Sequence, residues 1–196
     1  MAYYPLFLEL RSRPCLVIGG GKVAHQKVKA LAACGAAVTV VAPRLGAGLQ
    51  RLVREGKVRW MPKGFGAADL KGAELAVAAA DDQRVNELAS RLAKRRRIWI
   101  NVVDQPRLCS FIVPSVVRRG DLQIAISTGG ISPALSKWIR RDLEKRFGRE
   151  FAGLLKGSAK IRGKVREAVP SYERRKRLYE RAIAAYFDVM REGGSG

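Results

Sequence analysis

The sequence Cys15-Leu16-Val17-Ile18-Gly19-Gly20-Gly21-Lys22-Val23-Ala24-His25-Gln26-Lys27 decides the fold. An apolar run leads into three glycines, and the residues that follow have helical spacing, so the stretch predicts a strand, a tight turn and a helix. Gly19, Gly21 and Ala24 match the G-x-G-x-x-A form of the dinucleotide-binding fingerprint. An ordinary βα turn without a ligand is the alternative interpretation of these residues.

The next hundred residues alternate between strand and helix patterns. Apolar, β-rich runs predict four more strands, and helical spacing predicts helices after the second and the fourth. The strand runs are residues 37–41, 57–61, 75–80 and 97–103, and the helical runs are residues 45–55 and 81–92. This order predicts an α/β fold with a doubly wound, Rossmann-type parallel sheet.

The pattern changes after Cys109. Residues 110–114 and 122–127 predict two strands with no helix between them, which should pair with each other antiparallel or with another subunit. Ser132-Pro133 is a good start for an amphipathic helix, because serine caps a helix and proline suits its first position. Mostly basic helices follow at residues 151–168 and 171–190, and we expect residues 193–196 to be disordered.

Composition limits the function classes. The 196 residues carry 38 Lys and Arg against 17 Asp and Glu, a net charge of +21, which attracts polyanions such as nucleic acid or a polycarboxylate. Three scattered cysteines and one histidine predict no metal site. No apolar stretch approaches the roughly 18 residues of a membrane span, and the first residues do not resemble a signal peptide. We therefore expect a cytoplasmic protein without a membrane partner.

Six stretches carry a family resemblance. They are YPLFL at residues 4–8, VIGGGKVA at 17–24, AADD at 79–82, NVVD at 101–104, SFIVP at 110–114 and ISTGGISP at 126–133. In this order and spacing they resemble the precorrin-2 dehydrogenase family, the dehydrogenase part of sirohaem synthase. The resemblance implies NAD-dependent oxidation of precorrin-2 to sirohydrochlorin by a homodimer. Some members of the family also insert ferrous iron, and this activity stays open here.

The resemblance also implies a division of the chain. We assign residues 1–113 to an NAD-binding Rossmann domain, residues 114–147 to a small α+β dimerisation segment, and residues 148–196 to a basic helical C-terminal region. The basic region would help to hold a tetrapyrrole that carries eight carboxylates, and a solvated helix face is the alternative.

Asp104 is the candidate catalytic residue. The resemblance makes the aspartate of the NVVD stretch important for catalysis, and in a doubly wound fold ligands bind beyond the carboxyl ends of the strands. A carboxylate there can accept the proton that is released when hydride leaves the substrate. The alternative is a turn or a cap, because Asp104-Gln105-Pro106 also suits a turn.

The candidate cofactor residues lie at predicted strand ends. No Asp or Glu follows the second strand where a dinucleotide site usually has one, and Arg44 would favour a 2′-phosphate, so NADP stays open although the resemblance points to NAD. One more solvated arginine is the alternative for Arg44. His25, in the first helical turn, is expected at the surface. The candidate cofactor-binding residues are Gly19, Gly21, Lys22, Val23, Ala24, Pro43, Arg44, Ala79, Ala80, Asp81 and Asn101.

A second glycine turn is the candidate substrate site. Ser127, Thr128, Gly129 and Gly130 precede a predicted helix, whose N-terminus can receive a substrate carboxylate. A plain turn with an N-cap is the alternative. A different class of function, an NAD(H)-sensing module that binds nucleic acid through its basic tail, is favoured by charge alone, and no nucleic-acid-binding motif supports it.

Overall fold

The computed structural model describes the backbone of residues 3–192 and the side chains of residues 3–188, so the disorder expected at residues 193–196 lies outside the described residues. The chain forms two compact units. The first comprises the residues up to Pro114 together with Ser127–Pro133, and the second comprises Ser115–Ile126 and the chain from Ala134 onward. The domain boundaries drawn at residues 113 and 147 from the sequence stay a prediction.

The first unit contains a parallel five-stranded sheet. Its strands are β1 (Pro14–Ile18), β2 (Ala37–Val41), β3 (Arg59–Met61), β4 (Leu75–Ala78) and β5 (Trp99–Val102), in the order β3-β2-β1-β4-β5. The helices are α1 (Lys22–Ala33), α2 (Ala47–Arg54) and α3 (Gln83–Arg95), and short 3-10 helices occupy Ala67–Leu70 and Pro106–Leu108. This topology confirms the predicted Rossmann-type fold. The strand order reverses between β1 and β4, where such folds bind their ligands.

The sheet is buried on both faces. Val17 and Ile18 are neighbours in β1 whose side chains belong to separate core clusters, as the alternation of a strand requires. Val28 and Leu49 bring α1 and α2 into the first cluster, whereas Ala89 brings α3 into the second. Continuous apolar strands are therefore needed, because each strand contributes side chains to two buried layers.

The second unit begins with a hairpin. Strands β6 (Ser115–Arg119) and β7 (Leu122–Ile126) pair antiparallel. Strand β7 matches the strand predicted at residues 122–127, whereas β6 begins after the strand predicted at residues 110–114. Three helices follow, namely α4 (Pro133–Arg146), α5 (Glu150–Ala168) and α6 (Tyr172–Glu192). Phe151 is buried within this unit, with its ring centroid 5.0 Å from that of Phe147 and 6.0 Å from that of Phe187. Arg119 donates hydrogen bonds to the carbonyl of Glu144, in the last turn of α4, and to that of Phe147, directly after the helix.

The prediction of a strand at residues 110–114 is wrong. The strand starts at Ser115, directly after Pro114, which has no N–H to donate to a ladder. The preceding residues make single hydrogen bonds along β5 instead. The Ser110 N–H donates to the Ile100 carbonyl at 2.8 Å, and the Asn101 side-chain amide donates to the Phe111 carbonyl at 3.2 Å. This segment therefore serves as a strap across the end of β5.

None of the helices in the described part of the chain combines the length and apolar composition that a membrane span requires.

Cys15 gives the first unit a measurable pH dependence. Burial in β1 raises the pKa of the Cys15 thiol to about 11 from an ordinary value of 9.0, and the nearby Glu74 carboxylate adds to the rise. Between these values the unfolded chain releases the thiol proton and the folded chain keeps it, so the free energy of unfolding should fall as pH rises. The contribution is at most about 1.4 kcal/mol per pH unit and is absent below pH 9. Urea unfolding from pH 8 to 11, with Cys15→Ala as the control, measures it, and equal slopes in both proteins would contradict it.

Candidate functional site

The first glycine turn lies at the carboxyl end of β1, in close contact with β4. Gly19 has φ +121°, and its N–H donates to the Val41 carbonyl at 3.0 Å. The Ala79 N–H donates to the Ile18 carbonyl at 2.8 Å. A Cβ placed on Gly19 would lie 2.2 Å from the Ala79 carbonyl oxygen. Only glycine fits here, because any side chain would collide with the backbone that follows β4.

The start of α1 is open to an anion. Gly21 is the N-cap of this helix and supplies no capping side chain, and the first helical hydrogen bond joins the His25 N–H to the Gly21 carbonyl at 3.0 Å. The N–H groups of Lys22, Val23 and Ala24 therefore have no partner among the described residues. A Cβ placed on Gly21 would meet no atom within 4 Å. The residues present thus fit a pyrophosphate, which needs both free N–H groups and room beside the second glycine.

The loop after β2 is fixed to the glycine turn. The Gly46 N–H donates to the Gly20 carbonyl at 2.9 Å, and a Cβ on Gly20 would lie 2.0 Å from the Arg44 carbonyl oxygen. Pro43 and Arg44 follow β2 with exposed side chains. The backbone of this loop is therefore held against the glycine turn, with Arg44 facing solvent beside it.

His25, predicted at the surface, is only partly exposed. A Cβ on Gly48 of α2 would lie 2.5 Å from His25 Cε1, so the imidazole fills the gap that this glycine leaves between α1 and α2. The Nε2 atom is buried and has no hydrogen-bond partner among the described residues. The imidazole is half-buried because α2 has no side chain at position 48.

Helix α3 positions the loop after β4 through Asn86. The Asn86 side-chain amide donates to the Ala80 carbonyl at 2.8 Å and accepts from the Ala80 N–H at 3.1 Å. Asp82 caps α3 by accepting from the Arg84 N–H at 2.9 Å, whereas Asp81 is exposed before it. The half-buried Ala79 and Ala80 therefore form the end of β4 at the binding edge, in a geometry that Asn86 determines.

The loop after β5 presents Asp104 in a strained turn. The Gln105 N–H donates to the Val102 carbonyl at 3.2 Å, and Asp104 within this turn has φ +57°. A left-handed conformation is uncommon for residues other than glycine and is most accessible to Asn and Asp. The Asp104 side chain is exposed. By contrast, Asn101 is 8% exposed, and its amide group is occupied by the Phe111 carbonyl.

Two side chains that sequence reasoning did not assign to the site support this turn. Cys109 Sγ accepts from the Val102 N–H at 3.1 Å and lies 3.3 Å from the carbonyl oxygens of Val102 and Gln105, to which its thiol can donate. Ser90 of α3 donates to the Leu108 carbonyl at 2.6 Å. A signal for Asn86 and Ser90 exists in the sequence, because they are polar residues with the same spacing as the apolar face that contains Ala89 and Ala93.

The second glycine turn is placed beside the loop after β5. A Cβ on Gly130 would lie 3.8 Å from Pro106 Cγ, and Gly129 and Gly130 have φ +64° and +85°. Thr128 Oγ1 accepts from the Ser132 N–H at 3.1 Å and donates to the Ser132 carbonyl at 3.0 Å, while Ser127 Oγ accepts from the Gly129 N–H. Both hydroxyls therefore stabilise the turn itself. The Gly130 N–H has no partner among the described residues.

Most predicted site residues share the carboxyl edge of the sheet in the first unit. Asp104 follows β5, which is two strands from β1, a separation of about 10 Å. Within the described residues there is no group of three or more His, Cys, Asp or Glu side chains arranged to hold a metal ion. The edge thus offers uncapped N–H groups on one side and a carboxylate on the other.

Comparisons with known proteins agree with this geometry. A family model described as putative NAD(P)-binding matches residues 6–115, and a model described as sirohaem biosynthesis protein central matches residues 119–146. The chain is 42% identical to a siroheme synthase of Methylobacillus flagellatus and 41% identical to one of Methylococcus capsulatus. These alignments cover 92% and 93% of this chain, and 38% and 39% of the relatives. The chain therefore spans less than half the length of these curated relatives.

A solved structure matches the chain over nearly its whole length. The structure, described as SirC, precorrin-2 dehydrogenase, superposes with a TM-score of 0.79 at 30% identity. The match covers 92% of this chain and 89% of that one. The predicted family resemblance is confirmed, and the chain belongs to the sirohaem-biosynthesis family of NAD(P)-binding proteins that includes this precorrin-2 dehydrogenase.

Proposed function

We propose that the chain oxidises precorrin-2 to sirohydrochlorin with NAD, by removing one hydride and one proton from the tetrapyrrole. The observation that carries this proposal is the shared edge, where the Asp104 carboxylate follows β5 and the uncapped start of α1 follows β1. The names of the relatives and of the matching structure support the same reaction.

The cofactor residues have separate tasks in this proposal. The free N–H groups of Lys22, Val23 and Ala24 would bind the pyrophosphate, and Gly21 would leave room for it. Pro43 and Arg44 would border the adenosine ribose, whereas Ala79, Ala80 and Asp81 would border the nicotinamide. Asn101 would act on the cofactor site only indirectly, because its side-chain amide donates to the Phe111 carbonyl in the strap across β5. When bound, NAD supplies the acceptor for the hydride.

Asp104 would take the proton. Its carboxylate is exposed and projects from a turn whose conformation is fixed by Cys109 and by the Gln105 N–H. A positioned general base contributes about 10²- to 10⁴-fold to a rate. The turn of Ser127, Thr128, Gly129 and Gly130 would receive a substrate carboxylate through backbone N–H groups, because both hydroxyls are engaged within the turn. The net charge of +21 would attract the polycarboxylate.

We also propose a homodimer formed through the segment after the sheet. Leu135 and Trp138 of α4 are 49% and 66% exposed and lie about one turn apart, so they present adjacent apolar surface.

Replacement of Gly21 by alanine should separate cofactor binding from folding. The methyl group meets no atom within 4 Å, so the free energy of unfolding should change by less than about 1 kcal/mol. It would enter the space that a pyrophosphate requires, so the Kd for NAD should rise at least about tenfold. Calorimetric titration and urea unfolding measure the two effects. Gly19→Ala is the contrasting variant, since its methyl collides with the Ala79 carbonyl and should destabilise the fold. Unchanged NAD binding by Gly21→Ala would contradict this placement of the pyrophosphate.

Replacement of Asp104 by asparagine tests the proton acceptor. Asparagine tolerates the left-handed conformation as aspartate does, so the turn should persist while the basic group is lost. Turnover of precorrin-2 should fall by about 10² or more, with the Kd for NAD within about twofold of the original. Asp121→Asn, at an exposed aspartate of the β6–β7 turn, is the matched control. Full turnover by Asp104→Asn would remove Asp104 from the mechanism.

Replacement of Trp138 by glutamate tests the dimer. A charge on this exposed apolar surface should raise the dimer dissociation constant by at least about tenfold, because a carboxylate cannot be buried there without a partner. Sedimentation velocity over a concentration series measures the constant. Lys137→Glu, at the neighbouring exposed position, controls for the change of charge sign. A protein that is monomeric before substitution would contradict the proposal.

A further inference from the structure

Helix α3 has two polar side chains in its buried face. Asn86 and Ser90 are 7% and 2% exposed, and the other buried residues of the helix are Ala89 and Ala93. Asn86 and Ser90 are four residues apart, so they share one face of the helix and lie about 6 Å apart along its axis. A buried amide or hydroxyl must form hydrogen bonds, whereas an apolar side chain at the same position needs none. What the two side chains bind therefore indicates their purpose.

Asn86 holds the loop that follows β4. Its side-chain amide donates to the Ala80 carbonyl at 2.8 Å and accepts from the Ala80 N–H at 3.1 Å. Both backbone polar groups of Ala80 are thus paired with one side chain, which prevents this residue from shifting along the sheet edge. In the proposed function, Ala79 and Ala80 border the nicotinamide. The shape of the nicotinamide side of the cofactor site therefore depends on Asn86.

Ser90 holds the segment that follows Asp104. Its hydroxyl donates to the Leu108 carbonyl at 2.6 Å, at the end of the 3-10 helix Pro106–Leu108. The Leu108 N–H in turn donates to the Gln105 carbonyl at 3.0 Å, which joins this segment to the turn of Asp104. The Asp104 side chain makes no hydrogen bond or ion pair with another described residue. The position of its carboxylate therefore depends on how the backbone on either side is held.

One helix face thus holds both loops of the reacting half of the site. Because Asn86 and Ser90 belong to the same rigid helix, the loops after β4 and β5 keep a constant spacing. Hydride and proton removal require the nicotinamide and the base to be aligned on one substrate, and a misplacement of about 1 Å can lower a rate by about 10²-fold. Both side chains are buried and occupied, so they act through the backbone of the loops.

We infer that Asn86 and Ser90 are positioning residues of the dehydrogenase site and that their effects are separate. Asn86 places the loop that borders the nicotinamide and so determines the affinity for NAD. Ser90 places the turn of Asp104 and so determines the rate of proton removal. The inference rests on the proposed function, because it assumes NAD at this edge and Asp104 as the base. It extends that function to two residues of α3 that lie beneath the site.

Substitution of Ser90 tests its action through Asp104. In Ser90→Ala, kcat for precorrin-2 should fall about tenfold, with KM and the Kd for NAD changed by less than about twofold. Ser90→Cys, which keeps a weak donor, should restore part of kcat. In the Asp104→Asn background, Ser90→Ala should change kcat by less than about twofold, because no base remains to be positioned. A role in stability alone would lower kcat by the same factor in both backgrounds.

Substitution of Asn86 tests the cofactor loop without turnover. NAD and ADP are titrated calorimetrically into the full chain. In Asn86→Ala, the Kd for NAD should rise about tenfold, whereas ADP, which lacks the nicotinamide, should bind within about twofold of the original. Asn86→Ser, whose shorter side chain can keep only one of the two hydrogen bonds, should give a smaller rise for NAD and none for ADP.

Leu92→Ala is the matched control. Leu92 lies in α3 and packs against the same core cluster as Ala89 and Ala93, but its side chain has no polar atom to bind a loop. The variant should unfold at lower urea concentration, with kcat and the Kd for NAD within about twofold of the original.

Three results would overturn the inference and leave the proposed function intact. They are equal losses of kcat from Ser90→Ala in both backgrounds, equal rises of Kd for NAD and ADP in Asn86→Ala, and losses of kcat and NAD affinity in Leu92→Ala as large as those of the other variants. Binding of NAD by the unmodified chain without turnover of precorrin-2 would overturn both the proposed function and the inference.

Discussion

The site depends on the close approach of three backbone segments at the glycine turn. A Cβ on Gly19 would collide with the carbonyl after β4, and a Cβ on Gly20 would collide with the carbonyl in the loop after β2. The two glycines therefore allow the ends of three neighbouring strands to meet. Gly21 differs from them, because the space beside it is empty. Two glycines thus serve packing within the chain, and the third leaves room for a ligand.

Buried polar side chains of α3 extend this arrangement to the other half of the edge. Asn86 and Ser90 are four residues apart, so they lie on the same face of the helix. Asn86 binds the backbone after β4, and Ser90 binds the backbone that follows Asp104. A buried amide or hydroxyl must find a partner, and here the partners are the loops that carry candidate site residues. The position of Asp104 relative to the sheet therefore depends on helix packing as well as on its own turn.

The sequence was sufficient to predict the sheet because the signals there are local. Apolar runs, glycines and helical spacing predicted all five strands and the three helices packed on them, with differences of a few residues at their ends. The prediction of a strand at residues 110–114 was wrong, because the apolar composition of this segment fits a strap across β5 as well as a strand. The sequence did not predict the partial burial of His25 for a related reason. Its burial depends on Gly48, which is 23 residues away and supplies the gap that the ring fills. Likewise, the contacts of Cys109 with Val102 and Gln105 require the fold of the loop and have no signature in residue spacing.

Anaerobic turnover of precorrin-2 by the unmodified chain with NAD is the most direct test of the proposed dehydrogenase activity. Reduced nicotinamide and sirohydrochlorin are followed together by their absorbance. We expect one reduced nicotinamide for each sirohydrochlorin, because one hydride and one proton leave each tetrapyrrole. Binding of NAD without formation of either product would contradict the assignment of this sheet edge as a dehydrogenase site.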